Sequence, residues 1–264
     1  MRHLLLGALA LLVATPAFAE EREYCPERPG LGTPACTVAP GRVSIETALG
    51  DWSLQNDPDS RTDTFLIGDT KLRVGLTDSI EAQIDWTPLG VVRARDKASG
   101  AVDTATRTGD VELAVKANLL HPDGKGLSIA VLPFVTVPVG RAPVGAGDWG
   151  AGLVLPVTYD VSDAINLEVT PEIDAAVNED GRGRHFAASA TIGLALALTR
   201  KLTGTAEVQL LRDEDPAGKS TQALGALSLA WMVRDDLQLD IGGIAGLDHD
   251  APDAEIYFGI ARRI

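Results

Sequence analysis

Side chains able to do nucleophilic, acid–base or metal chemistry are few in this chain. Beyond the first residues the histidines are His121, His185 and His249, each in or beside a predicted connection. A serine nucleophile needs a base and an orienting acid within reach, and no G-x-S-x-G elbow frames one. Asp248, His249, Asp250 and Asp253 cluster, but without the Gly and terminal Glu of a calcium loop. They read as a solvated acidic connection, so no metal or other cofactor is expected and an enzyme is the weakest functional class. What recurs instead is ionisable residues set into apolar runs: Glu81, Asp85, Glu112, Lys116, Glu168, Glu172, Asp174, Glu207 and Asp240. A set of this kind lining a passage would select solutes by charge, favouring cations or neutral molecules over anions.

Such residues need elements with one polar and one apolar face, and the chain supplies strands. Val43, Ile45, Thr47 and Leu49 oppose Ser44, Glu46 and Ala48; Ile80, Ala82, Ile84 and Trp86 oppose Glu81, Gln83 and Asp85. The same period of two runs through 111–119, 165–174, 186–198, 202–210, 227–233, 237–241 and 256–260. With the segments at 66–76 and the two arms of a hairpin at 126–162, the reading is twelve strands and no helix.

The connections alternate long and short. Long ones are expected at 55–63, 96–109, 140–148, 178–183, 212–220 and 248–253, with tight turns between them. Transmembrane barrels show this asymmetry, with short periplasmic turns and longer outer loops. Many strands run near the ~9–11 residues that cross a bilayer obliquely. The fold expected is therefore all-β, a transmembrane antiparallel up-and-down barrel over 42–264 in the bacterial outer membrane. Lipid is then its surrounding partner. A soluble β-sandwich would also alternate, but with shorter strands.

Residues 1–19 have the basic start, short apolar run and Ala17-Phe18-Ala19 site of a cleaved signal peptide. Their removal deletes Arg2 alone among charged residues, taking the net charge from −14 to −15. That acidity excludes a nucleic-acid surface. Export makes Cys25 and Cys36, the only cysteines, a disulfide pair within an N-terminal segment 20–41.

The hairpin at 126–162 departs from the pattern. Its first arm is apolar on both faces, and Pro133, Pro138 and Pro156 interrupt a ladder to which they cannot donate. Pairing the arms about Val144 sets Pro133 nearly opposite Pro156. Leu132 and Phe134 then put an apolar patch on the inner face, a candidate lateral seam for hydrophobic solutes.

The chain resembles the outer-membrane transporter family named for the meta-pathway of phenol degradation. The matching stretches are CPERPGLGTPACTVAPG, TFLIGDTKLRVGLTDSIEAQIDWTP, TGDVELAVKANLL, LPFVTVPVG, GLVLPVTYDVSDAINLEVTPEID and AEIYFGIARRI. The most distinctive motifs are Arg73 to Glu81, Thr108-Gly109-Asp110 and Pro138-Val139-Gly140. The resemblance implies a monomeric barrel admitting small, often hydrophobic or aromatic, compounds, with no catalytic motif to carry over. The function expected is a passive channel. A non-transporting structural or surface-interaction barrel is the alternative, and a barrel-embedded hydrolase the further one.

Overall fold

The computed structural model describes residues 22–264, and the expected signal peptide lies outside the described residues. Sixteen strand segments make twelve crossings of one closed antiparallel barrel. The first crossing is β1 (Val43–Gln55); the second is β2 (Ser60–Ile67) with β3 (Asp69–Gly75). The third joins β4 (Ile80–Trp86) and β5 (Leu89–Asp96), and the fourth β6 (Val102–Arg107) and β7 (Val111–Leu120). The hairpin follows as β8 (Leu127–Val137), then β9 (Gly150–Val154) with β10 (Val157–Ser162). Six unbroken crossings complete the wall: β11 (Ile165–Val177), β12 (Arg184–Ala197), β13 (Leu202–Asp213), β14 (Ser220–Arg234), β15 (Leu237–Gly246) and β16 (Ala254–Arg263). β16 returns to β1, from Ser44 against Arg263 to Leu54 against Ala254, so the wall is closed. Closure satisfies the backbone without water, the condition a sheet must meet in lipid.

The breaks within crossings have local causes. Gly68 separates β2 from β3 at φ 73°, a conformation that L side chains rarely adopt. Pro88 and Pro156 lie in the gaps β4–β5 and β9–β10, where no ladder N–H is available. The expected loop at 96–109 is largely strand, because β6 pairs with β5 as a hairpin. Much of that hairpin is exposed on both faces, so its sequence carries no apolar alternation to read.

The side-chain distribution is inverted relative to a soluble fold. Leu227, Ile192, Leu210 and Phe186 are among many large apolar side chains exposed on the outside. Arg73, Lys116, Glu46 and Glu81 are fully buried inside. An apolar outer band around a polar interior is the pattern of a barrel surrounded by lipid.

The hairpin register corrects one expectation. Pro133 pairs with Leu153, and the Ala130 N–H donates to Pro156 C=O, so the two prolines are not opposite each other. The strands pair two residues away from a Val144-centred register, in which Leu132 would face Pro156: Leu132 meets Val154 and Ile129 meets Val157. The Leu155 N–H donates to Pro171 C=O, which keeps the wall bonded across the β9–β10 gap.

Candidate functional site

Residues 22–38 thread through the barrel interior, tied by the Cys25–Cys36 disulfide. This segment contains few apolar side chains able to fill a core, so polar groups of the wall hold it. Glu27 is the centre, with Lys71 Nζ at 3.0 Å, Arg73 Nε at 3.4 Å and Lys116 Nζ also in contact. Burial alone would raise the Glu27 carboxyl. The positive charges of Lys116, Lys71 and Arg73 outweigh burial and hold it well below the usual carboxylate range. Arg73 bridges Glu81 at 2.8 Å and Glu46 at 2.9 Å and donates to Cys25 C=O at 2.8 Å. Glu46 accepts the Glu27 and Arg28 amides, and Glu81 accepts the Val38 amide. Three carboxylates thus meet three cations in the barrel interior, where a buried charge would be costly alone.

The same plug explains the motif from Arg73 to Glu81. Its two ends pair across the β3–β4 turn, and Gly75 lets the plug backbone pass. A Cβ at Gly75 would lie 2.1 Å from Ala39 C=O. On the opposite wall Arg28 pairs with Asp240 at 2.9 Å, and Glu207 accepts the Leu31 and Gly32 amides. Thr170 accepts the Thr33 amide and donates to Glu168.

The plug divides the lumen into two cavities. Toward the short turns is a cavity of about 380 Å³, lined in part by Glu168, Glu207, Asp160 and Thr203. Toward the long loops is one of about 280 Å³, lined by Asp51, Asp69, Lys71, Asp85, Glu255 and Tyr257 among others. A further recess of about 260 Å³ on the β8–β11 wall holds Glu112, Glu172 and Asp174 around Phe134. Among the described residues no Lys or Arg lies within ion-pair distance of those three carboxylates. Phe134 packs on an apolar cluster of Ala114, Leu132 and Val154. Gly152 makes room for its ring, since a Cβ there would lie 2.4 Å from Phe134 Cζ.

The nine ionisable residues read from the sequence therefore sort into three places. Glu81, Lys116, Glu207 and Asp240 hold the plug; Glu168 lines the inner cavity; Asp85, Glu112, Glu172 and Asp174 face the outer space. Sequence reasoning passed over Glu27 and Glu46. Glu46 does sit on the polar face of its strand, but Glu27 has no periodic neighbour to mark it.

The other two motifs dock against each other. Asp110 accepts the amides of Gly140 and Ala146, which draws the loop after β8 inward. Val144 then sits over Gly90 and beside Leu66 at the mouth.

The family described as "Putative MetA-pathway of phenol degradation" matches over residues 28–264. The chain belongs to this family. Its fold is that of outer-membrane barrels of known structure. The COG4313 outer membrane channel from Pseudomonas putida F1 superposes with a TM-score of 0.73 at 11% identity, covering 90% of this chain and 100% of that one. The transport unit of the autotransporter AIDA-I from Escherichia coli gives 0.55 at 9% identity, over 84% and 89%. The KdgM porin gives 0.51 at 10% identity, over 83% and 98%. No curated protein matches the chain. The family member thus has the β-barrel fold of these outer-membrane proteins, with residues 22–38 threaded through its lumen.

Proposed function

We propose that this barrel is a passive outer-membrane channel for small, hydrophobic or aromatic solutes, acting as a monomer with lipid as its surrounding partner. The observation that carries the reading is the pair of cavities on either side of the plug. Eight-stranded barrels are just filled by side chains, and twelve strands enclose more than that. The plug is held by ion pairs and amide hydrogen bonds, which water can replace more readily than it replaces packed apolar contacts. The outer space combines carboxylates with the Phe134 ring, suiting neutral aromatic or cationic solutes and opposing anions.

Family membership and the COG4313 channel's fold support transport without naming a substrate. Planar-bilayer recording and liposome uptake of a phenol-sized solute test it, with and without residues 22–37. Low conductance in the full barrel and larger steps without the plug are expected. If neither form passes ions or solute, the molecule is a non-transporting structural barrel.

A finer proposal concerns the exit of hydrophobic solutes through the wall. The apolar cluster of Ala114, Leu132 and Val154 lies beside the strand break at Pro156, where β9 ends and β10 begins. Replacing Pro133 and Pro156 with Val is expected to lower uptake of apolar solutes while leaving ion conductance unchanged.

A further inference from the structure

At the loop end, β12 and β13 bring together a second group of chemically capable side chains that the plug and vestibule do not use. His185 lies at the start of β12, Asp213 at the end of β13 and Asp215 in the connection that follows. One ligand atom from each lies within 4.8 Å of the other two. The His185 side chain is 5% exposed. The Asn178 side-chain amide donates to Arg182 C=O at 2.7 Å. That leaves Asn178 Oδ1 facing His185 Nδ1 at 3.1 Å, the arrangement that places the ring proton on Nδ1.

Nε2 then carries the lone pair, and it points at no donor. It lies 2.9 Å from Asp213 Oδ1, yet the contact lacks hydrogen-bond alignment and Nε2 has no hydrogen-bond partner. A buried imidazole nitrogen with no hydrogen-bond partner, set beside a carboxylate oxygen, is a position that a cation could fill. Asp215 Oδ2 lies 3.3 Å from His185 Nδ1, and Asp215 is fixed by the Ala217 and Glu179 amides while Asp213 Oδ1 accepts the Asp215 amide. Donation from Nδ1 to a neighbouring oxygen is how metal-binding histidines are usually oriented.

We propose that His185, Asp213 and Asp215 form a site for a divalent transition-metal cation, Zn²⁺ by chemistry, at the inner rim of the barrel mouth. One imidazole nitrogen and two carboxylates suit Zn²⁺, with water completing the shell; Ca²⁺ and Mg²⁺ favour all-oxygen sets. The cation would link the connections 178–183 and 214–219. The first lies against the inward-drawn loop after β8, since a Cβ at Gly181 would be 3.7 Å from Ala146 C=O. Bound metal would therefore fix the cover of the mouth.

The test is calorimetric titration of ZnCl₂ into the folded, chelator-treated full barrel in detergent. One Zn²⁺ per barrel is expected, with Ca²⁺ at least about tenfold weaker. His185→Asn and Asp213→Asn should each weaken Zn²⁺ by at least about tenfold, as loss of even an outer-shell partner does. His249→Ala should leave it unchanged, since His249 is exposed at the far connection. Wild-type protein that binds no Zn²⁺, or His185→Asn protein that binds it undiminished, overturns the proposal. Should either variant fail to fold, imidazole NMR of the wild type decides. Zn²⁺ must move the His185 resonance, and movement confined to His121 or His249 overturns the site.

Discussion

Around Glu27 each buried carboxylate has a cation or a backbone amide against it. Nearer the mouth, Glu112, Glu172 and Asp174 have no Lys or Arg in reach among the described residues. The wall carboxylates of both groups come from the same strand periodicity, and Glu81 and Asp85 lie on one face of β4. The difference is where the basic residues fall. Arg73 and Lys116 lie toward the short-turn ends of β3 and β7, so neutralisation is concentrated where the plug docks. The result is a plugged, charge-balanced section below an acidic section bordered by Phe134. Charge pairing fills one region, and its scarcity sets the other apart.

The comparison can be broken most severely at Arg73. Arg73→Met would leave Glu46 and Glu81 buried without their shared cation, a loss of about 3–5 kcal/mol. Urea titration followed by heat-modifiable gel mobility should show it; an unchanged midpoint would mean the network is hydrated rather than sealed.

Opening the disulfide is the next largest perturbation. Cys25→Ser with Cys36→Ser releases a closure over a sequence separation of 11. That should cost the docked plug about 2–4 kcal/mol. The barrel should persist while conductance becomes larger and flickering, and quiet traces would argue that ion pairs alone hold the plug.

Acid gives an orthogonal handle. Because Glu27 has its folded pKa depressed below the ordinary 4.5, its stabilisation is complete above that value. It is lost only as pH falls through the lower, folded value. Bilayer conductance should therefore stay low from neutrality to pH 4.5 and rise in more acidic buffer. A rise already near neutrality would contradict the plugged section.

Smaller effects sharpen the vestibule side. Phe134→Ala should lower uptake of aromatic solutes by roughly 2- to 10-fold, the range expected from one aromatic contact. Glu112→Gln should change stability by no more than about 0.5 kcal/mol. It should nonetheless reduce cation over anion preference in reversal-potential measurements. Equal preference before and after would remove Glu112 from the selective surface.

Much of the wall was legible because lipid leaves so few solutions. Runs such as Ile80 to Trp86 could bury only one face and gave the crossing number, and the alternation of long and short connections pointed to a transmembrane barrel. The hairpin of β5 and β6 was not legible, since outside the membrane no apolar face is required of it. The register of β8 against β9 was missed by two residues. Turn length alone does not fix pairing when the loop is drawn inward by Asp110. The carboxylates of the lumen could be listed, but not sorted into those that hold the plug and those that face the outer space.

By itself, then, the sequence determined the barrel: period-two strands must close in lipid, because no water is present to satisfy an edge. The tertiary structure alone decided what fills it. Glu27 sits in a stretch with no periodicity, and its partners Lys71, Arg73 and Lys116 come from two different crossings. Only closure of the wall brings those charges to one point, and only there does the N-terminal segment become a plug.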